Sequence, residues 1–435
     1  MTGAQGADLR QLLDAAPMSR AQVAAVAVTV LLSALDGFDV LSVTFAAPAI
    51  VRDWGISRAA LGTLLSAGLV GMALGSFLIA PLADRFGRQR LVLFNLAIMA
   101  IGMMASAAAG SMVELAACRV VTGLGIGSMV AVINPLAAEF SNAERRPLAM
   151  AMMTVGYPVG GLLGGLLAAV LIALEGWRTI FVAGGVAALV LIPIVLIWLP
   201  ESPAFLATRA DDRSRQRLRV LMRRFGQTEF QDAAPIGSSG SGYRAVFAKG
   251  QIWRTLQLAL INLCYVLPVY FVLSWLPQMV ADMGFSSSAA SIASAAANLA
   301  GIFGGVTLGY LMRPSRLQSA TAGVIASMAL SLTAFGFLPA SFILIIAVSA
   351  ICGFLLFGGM AGLYAVLASG FAPAARASGV GFVIGLGRVA SAGAPLLAGG
   401  LFSAGLGRGP VATAFALFAL VSAALLMRLK ASSSR

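Results

Sequence analysis

Two aspartates stand where carboxylates rarely stand. Asp36-Gly37-Phe38-Asp39 lies inside an apolar run, Val23 to Pro48, that is long enough to cross a bilayer as a helix. Placing one ionised acid at membrane depth costs about 2.5–3.5 kcal/mol on insertion scales. Here there are two, three residues apart, and so on nearly the same face of a helix. Neighbouring carboxylates repel when both are ionised, so at least one must hold a proton, pair with a cation or face water. Each outcome makes the pair a functional candidate. The competing reading is structural: one aspartate caps a broken helix or anchors a permanent ion pair.

Two arginines also fall inside apolar segments. Arg119 opens the run Arg119-Val120-Val121-Thr122-Gly123-Leu124-Gly125, and Arg388 closes Gly385-Leu386-Gly387-Arg388. A guanidinium keeps its proton in a protein, so each is a fixed positive charge that needs an anion. That anion is a membrane aspartate, a bound ligand, or each in turn. A fixed structural pair is the alternative for both. Glu139, after Asn134-Pro135, reads equally as a proton acceptor or as an interfacial residue. The chain has no histidine. This excludes histidine catalysis, histidine metal sites and a histidine proton relay, leaving proton chemistry to Asp and Glu. Cys118, Cys264 and Cys352 have no metal-ligand spacing and read as small buried apolar residues. No nucleophile–base set of the usual kind can be assembled, so no enzyme, cofactor or metal is expected.

These residues must be held by helices in lipid. Of 435 residues, 60% are hydrophobic and 10% charged, against about 25% charged in soluble proteins. Twelve apolar segments have spanning length: 23–47, 58–80, 91–110, 113–137, 148–173, 178–199, 255–278, 288–311, 318–338, 342–369, 376–402 and 410–428. All are expected to be helices, because a span must satisfy its own backbone hydrogen bonds. The first twenty residues carry Asp8, Arg10, Asp14 and Arg20 without an apolar core, so no cleavable signal is expected. With the N-terminus inside, 23 of the 29 Lys and Arg fall in inner loops or tails and four in outer ones. That bias predicts both termini in the cytoplasm.

The expected organisation is a cytoplasmic N-terminal segment, 1–22, and six helices over 23–199. A cytoplasmic linker, 200–254, is followed by six more helices over 255–428 and a tail, 429–435. The linker holds an arginine-rich stretch, Arg209 to Arg224, and a Gly-Ser run, Gly237 to Gly242. The stretch reads first as a solvated tether and second as an interfacial helix on anionic lipid. Its arginines lack interleaved aromatics, which argues against nucleic acid despite the net charge of +13. Six helices on each side of a linker match the repeated halves of secondary transporters. Gly156-Tyr157-Pro158-Val159-Gly160-Gly161 in the fifth segment is echoed by Gly393-Ala394-Pro395 and Gly399-Gly400 in the eleventh.

The loop after the second segment reads Pro81-Leu82-Ala83-Asp84-Arg85-Phe86-Gly87-Arg88-Gln89-Arg90. Asp84 can pair with a cation from a neighbouring helix and latch one conformation, while Gly87 permits the reversal. This loop resembles the signature of the major facilitator superfamily, an all-α membrane fold of twelve helices in two six-helix halves. Ala80 replaces the usual first glycine. In the second-half copy, near Gly309-Tyr310-Leu311-Met312-Arg313, Arg313 stands where the acid would be. The Arg119 run is similar to the superfamily's Arg-x-x-x-Gly-x-Gly pattern. Asp36-Gly37-Phe38-Asp39, with Arg119 and Arg388, resembles the aromatic acid:proton symporters of bacterial inner membranes.

That resemblance implies import of a benzoate-like or hydroxybenzoate-like carboxylate with protons. Arg119 or Arg388 would bind the carboxylate, and Asp36, Asp39 and Glu139 are the proton candidates. Phe38, Tyr157, Tyr265, Tyr270, Trp275 and Phe382 form the pool of ring contacts, and Asp84, Arg85, Gly87 and Arg88 the gate. The implied partners are a small organic anion, protons and lipid, with the chain acting as a monomer. Pro200-Glu201-Ser202-Pro203 is similar to sugar porters, but Leu256 to Gln278 lacks their glutamine-rich pattern. Transport of another organic acid and a sensor built on the same fold are the remaining alternatives.

Overall fold

The computed structural model describes residues 9–209, 211–227, 252–312, 316–371 and 376–429. Gly237 to Gly242, Arg313, residues 1–8 and residues 430–435 lie outside the described residues. Twelve described helices have the length and apolar composition to cross a membrane. They are α1 (Arg20–Trp54), α2 (Arg58–Leu78), α3 (Arg88–Ala108), α4 (Met112–Phe140), α5 (Arg146–Glu175) and α6 (Arg178–Trp198), then α7 (Ile252–Ala281), α8 (Ser287–Leu311), α9 (Leu317–Phe337), α10 (Phe342–Gly370), α11 (Arg376–Ser403) and α12 (Arg408–Arg428). Their alternation defines two faces. The terminal face is the one from which α1 departs, and the far face carries the turn between α1 and α2.

Local chemistry sets the ends. Ser19 and Gln22 form a reciprocal capping box at the start of α1. Gly55, at φ 61°, stops that helix in the left-handed conformation. α1 therefore runs several residues beyond the apolar segment that signalled it. Within the first half, α1 crosses α5 with backbones in contact. A Cβ on Gly37 would stand 2.0 Å from the Tyr157 carbonyl oxygen, and one on Gly160 would stand 1.8 Å from that of Ala34. α2 and α4 touch in the same way, with Gly123 against Gly68 and Gly127 against Met72. Lipid gives apolar helices little reason to associate, so close backbone packing by small residues supplies much of the adhesion.

The arginine-rich stretch is not a solvated tether. Asp212–Arg224 is a helix capped by Asp211, whose side chain accepts from the Ser214 amide at 2.9 Å. It buries Leu218, Leu221 and Met222, and the following Phe225 packs edge-on against Phe140 at 6.0 Å between centroids. Three apolar residues on one stripe of a basic helix outweigh its appearance as a charge run.

The two halves meet towards the far face. Gly161 and Gly165 of α5 pack on Asn298 and Ala295 of α8, and Gly62 of α2 packs on the Pro395 carbonyl of α11. Arg58 of α2 pairs with Asp282, just beyond α7, at 2.6 Å. Among the described residues this is the one ion pair joining the halves.

Overpacking a close crossing is destabilising by about 1–3 kcal/mol. Gly160→Val should therefore lower the melting temperature of the purified protein by several degrees. Gly323→Ala, where nothing lies within 4 Å, should leave it unchanged.

Candidate functional site

The two aspartates have separate environments. Arg119 donates from Nη1 and Nη2 to Asp39 Oδ1, each at 3.2 Å, and from Nη2 to the Asp39 carbonyl at 2.8 Å. Both side chains are 1% exposed. The guanidinium also approaches Met103 Sδ at 3.0 Å and lies 5.7 Å from the Phe181 ring centroid. Helices α1, α3, α4 and α6 thus enclose it inside the first half. Asp36, one turn earlier, is equally buried, and neither of its carboxylate oxygens has a hydrogen-bond partner.

Arg388 is half-buried on α11 and donates from Nη1 to Ser76 Oγ of α2 at 3.1 Å, across the halves. It makes no ion pair among the described residues. Asp36, Tyr157, Tyr270 and Tyr364 all lie within its electrostatic reach. Helices α1 and α5 of one half and α7, α10 and α11 of the other therefore converge on one polar centre. The Tyr157 hydroxyl is buried there without a partner, and its ring lies 6.5 Å from that of Phe357. Tyr364 is absent from the residues singled out in the sequence. Its signal was a lone phenol in the apolar run Phe342–Gly370.

Three of the other ring candidates, Tyr265, Trp275 and Phe38, are packed inside one half. Tyr265 is fully buried and donates its hydroxyl to the Leu356 carbonyl within the second half. Trp275 donates from Nε1 to the Pro395 carbonyl at 3.3 Å and packs on Phe402. Phe38 lies against the Gly164 and Gly184 positions, inside the first half. Phe382 is partly buried against the main apolar core.

Glu139 is also elsewhere, at the terminal face. Its carboxylate pairs with Arg88 and accepts from the Ser202 hydroxyl. The amides of Arg88, Gln89 and Ser202 converge on Glu201 Oε1 at 2.7, 3.2 and 2.9 Å. Glu201 thus caps α3, a role that the Pro-Glu-Ser-Pro run alone did not disclose. Gly87, at φ 100°, leaves its Cβ position to that carboxylate. Asp84 is exposed and makes no ion pair among the described residues, so the expected latch is not engaged. Arg85 is exposed with its guanidinium over Phe86.

The Major Facilitator Superfamily model matches residues 29–395. The chain belongs to the major facilitator superfamily. A gallate transporter of Pseudomonas putida is 32% identical over 92% of this chain and 90% of its own length. A 4-hydroxybenzoate transporter of Acinetobacter baylyi is 29% identical over 88% of this chain and 85% of its own. A 3-(3-hydroxy-phenyl)propionate transporter of Escherichia coli is 29% identical over 93% of each chain. The xylose transporter of Escherichia coli, in a partially occluded inward-open conformation, superposes with a TM-score of 0.73 at 16% identity, covering 94% of this chain and 99% of that one. This last likeness concerns the fold. The chain is thus a multi-pass membrane transporter of the aromatic-acid group and not an enzyme.

Breaking a buried ion pair by removing one partner typically costs about 3–5 kcal/mol, because a bare charge remains. Asp39→Ala and Arg119→Ala should each lower the melting temperature sharply in detergent. The double variant Asp39→Asn with Arg119→Met should recover most of the loss. Similar melting temperatures for both single variants and the wild type would contradict this pairing.

Proposed function

We propose that this chain is a proton-coupled importer of a small aromatic carboxylate in a bacterial inner membrane. Arg388 takes the carboxylate and Asp36 carries the proton. The observation that supports this most is a cation without an acid partner among the described residues, within electrostatic reach of an acid without a donor on the opposite half. Arg119 is the weaker candidate for the substrate because Asp39 already occupies its fork. The compounds named for the three relatives share a benzene ring, a carboxylate and a ring hydroxyl. Tyr157, Tyr270 and Tyr364 offer ring faces and phenolic hydroxyls for such a ligand.

The coupling follows from charge. With Asp36 ionised and the site empty, Arg388 has its counter-charge in the protein. With Asp36 protonated, the guanidinium is left to bind the substrate carboxylate through paired N–H donors. Proton and anion then move together, and the halves rock about them. The distribution of cations supports a terminal face on the cytoplasmic side. The far-face contacts, Arg58–Asp282 among them, then close the outer side, and the disengaged Asp84 belongs to the same inward-facing state.

Uptake of labelled 4-hydroxybenzoate and gallate into proteoliposomes under an imposed pH gradient tests the reading. Asp36→Asn should abolish proton-driven accumulation while retaining exchange of internal for external substrate. Arg388→Lys keeps the charge but loses the planar fork, and should raise KM by at least about tenfold. Wild-type accumulation by Asp36→Asn would refute the proton assignment. An unchanged KM in Arg388→Lys would refute the clamp.

The outer contact yields a separate prediction. A partly exposed ion pair is worth up to about 1 kcal/mol, which shifts a two-state equilibrium by a factor of up to about five. Arg58→Ala should therefore raise outward-facing populations a few-fold. The readout is the rate at which an impermeant thiol reagent, added outside, labels Tyr270→Cys in a background lacking the native cysteines.

A further inference from the structure

A groove on the terminal face lies apart from the transport centre, where Asp212–Arg224 packs beside α3 and α6. It encloses about 660 Å³. Arg90 of α3 and Arg217 and Arg224 of the surface helix line it, and all three are exposed. None of the three makes an ion pair among the described residues. Arg217, Val220 and Arg224 recur at one-turn spacing, so a single stripe of the helix faces the groove. The opposite stripe, with Leu218 and Met222, is buried in the body and holds the first in place. The one carboxylate among the lining residues, Glu201, is turned to the three backbone amides it caps.

The groove opens at the membrane boundary. Leu93 and Leu196 form its apolar side, and Leu196, Ile197 and Trp198 are more than half exposed at the end of α6. Those side chains meet acyl chains when the helix is embedded. A ligand here must combine an anionic head at the water boundary with an apolar body along α3 and α6.

We propose that this groove binds an anionic phospholipid of the cytoplasmic leaflet. Its phosphodiester lies among Arg90, Arg217 and Arg224, and an acyl chain runs over Leu93 and Leu196. Three cations without an ion pair among the described residues, on the rim of an apolar slot at membrane level, favour a lipid over a soluble anion. Basic residues at that boundary attract anionic headgroups, and guanidinium binds phosphate oxygens through paired donors. The occupant fixes the surface helix against α3, next to the Glu201 and Arg88 contacts.

Native mass spectrometry of the full chain, released from micelles containing phosphatidylglycerol, phosphatidylcholine or inorganic phosphate, tests the site. The wild type should retain a phosphatidylglycerol adduct and no comparable phosphatidylcholine adduct. The triple variant Arg90→Gln, Arg217→Gln, Arg224→Gln should lose at least tenfold of that retention. Arg215→Gln, Arg219→Gln, Arg223→Gln removes the same charge from another stripe of the helix and should retain the lipid. The single variant Arg217→Gln, an exposed change, should show a partial loss at an unaltered melting temperature. Equal loss in both triple variants would reduce the effect to general attraction and overturn the site. Displacement of the lipid by millimolar inorganic phosphate would overturn the lipid as the occupant.

Discussion

A charge inside a bilayer must have a partner, and this molecule is arranged around how few partners it supplies. Asp39 and Arg119 satisfy each other within the first half, behind α3 and α6, at 1% exposure. Such a pair contributes little net stability over an apolar equivalent, but either member alone would be costly. Its consequence is positional. It fixes the α1 segment that also carries Asp36, and it removes one carboxylate and one guanidinium from whatever passes between the halves. What remains at the centre is Asp36 without a donor and Arg388 with one hydroxyl from the opposite half.

Glycine gives that centre its geometry. Gly37 lies between the two acidic turns because the Tyr157 carbonyl occupies the space where a side chain would stand. The same crossing brings Tyr157 towards Asp36. The glycines after Arg119 serve α2 as well, since Gly123 and Gly127 let it lie against α4. The motifs that look like sequences of chemistry are thus half packing devices. Their charged members act, and their small members set the distances at which they act.

This explains what could be read from the chain and what could not. Twelve spans, the two halves and the buried charges followed from hydropathy and from the expense of ions in lipid, because both are local properties of sequence. The assignment of Arg119 to Asp39 could not follow, since it depends on which faces of α1 and α4 turn towards each other. Tyr265 and Trp275 read as ring contacts, yet each hydrogen-bonds a backbone carbonyl inside the second half. An amphipathic aromatic satisfies its polar atom equally well by packing as by binding. Glu139 read equally as a proton acceptor or as an interfacial residue for lack of its partner, and Arg88 lies fifty-one positions away in sequence. The basic stretch was read by its charge, whereas three apolar residues decided its structure.

One sequence property becomes meaningful only with the fold in hand. From residue 233 to the end, the chain contains a single carboxylate side chain, Asp282. Asp282 lies at the far face and is engaged by Arg58. Arg388 therefore cannot be neutralised from within its own half. In the proposed mechanism its counter-charge comes from Asp36 across the interface or from a bound anion, and any motion that separates the halves changes which of these is within reach. An arginine whose own half offered it an acid would have no such dependence. On that mechanism, the scarcity of acids in the second half turns a fixed charge into one that responds both to substrate and to the relative position of the halves, as the proposed coupling of the two requires.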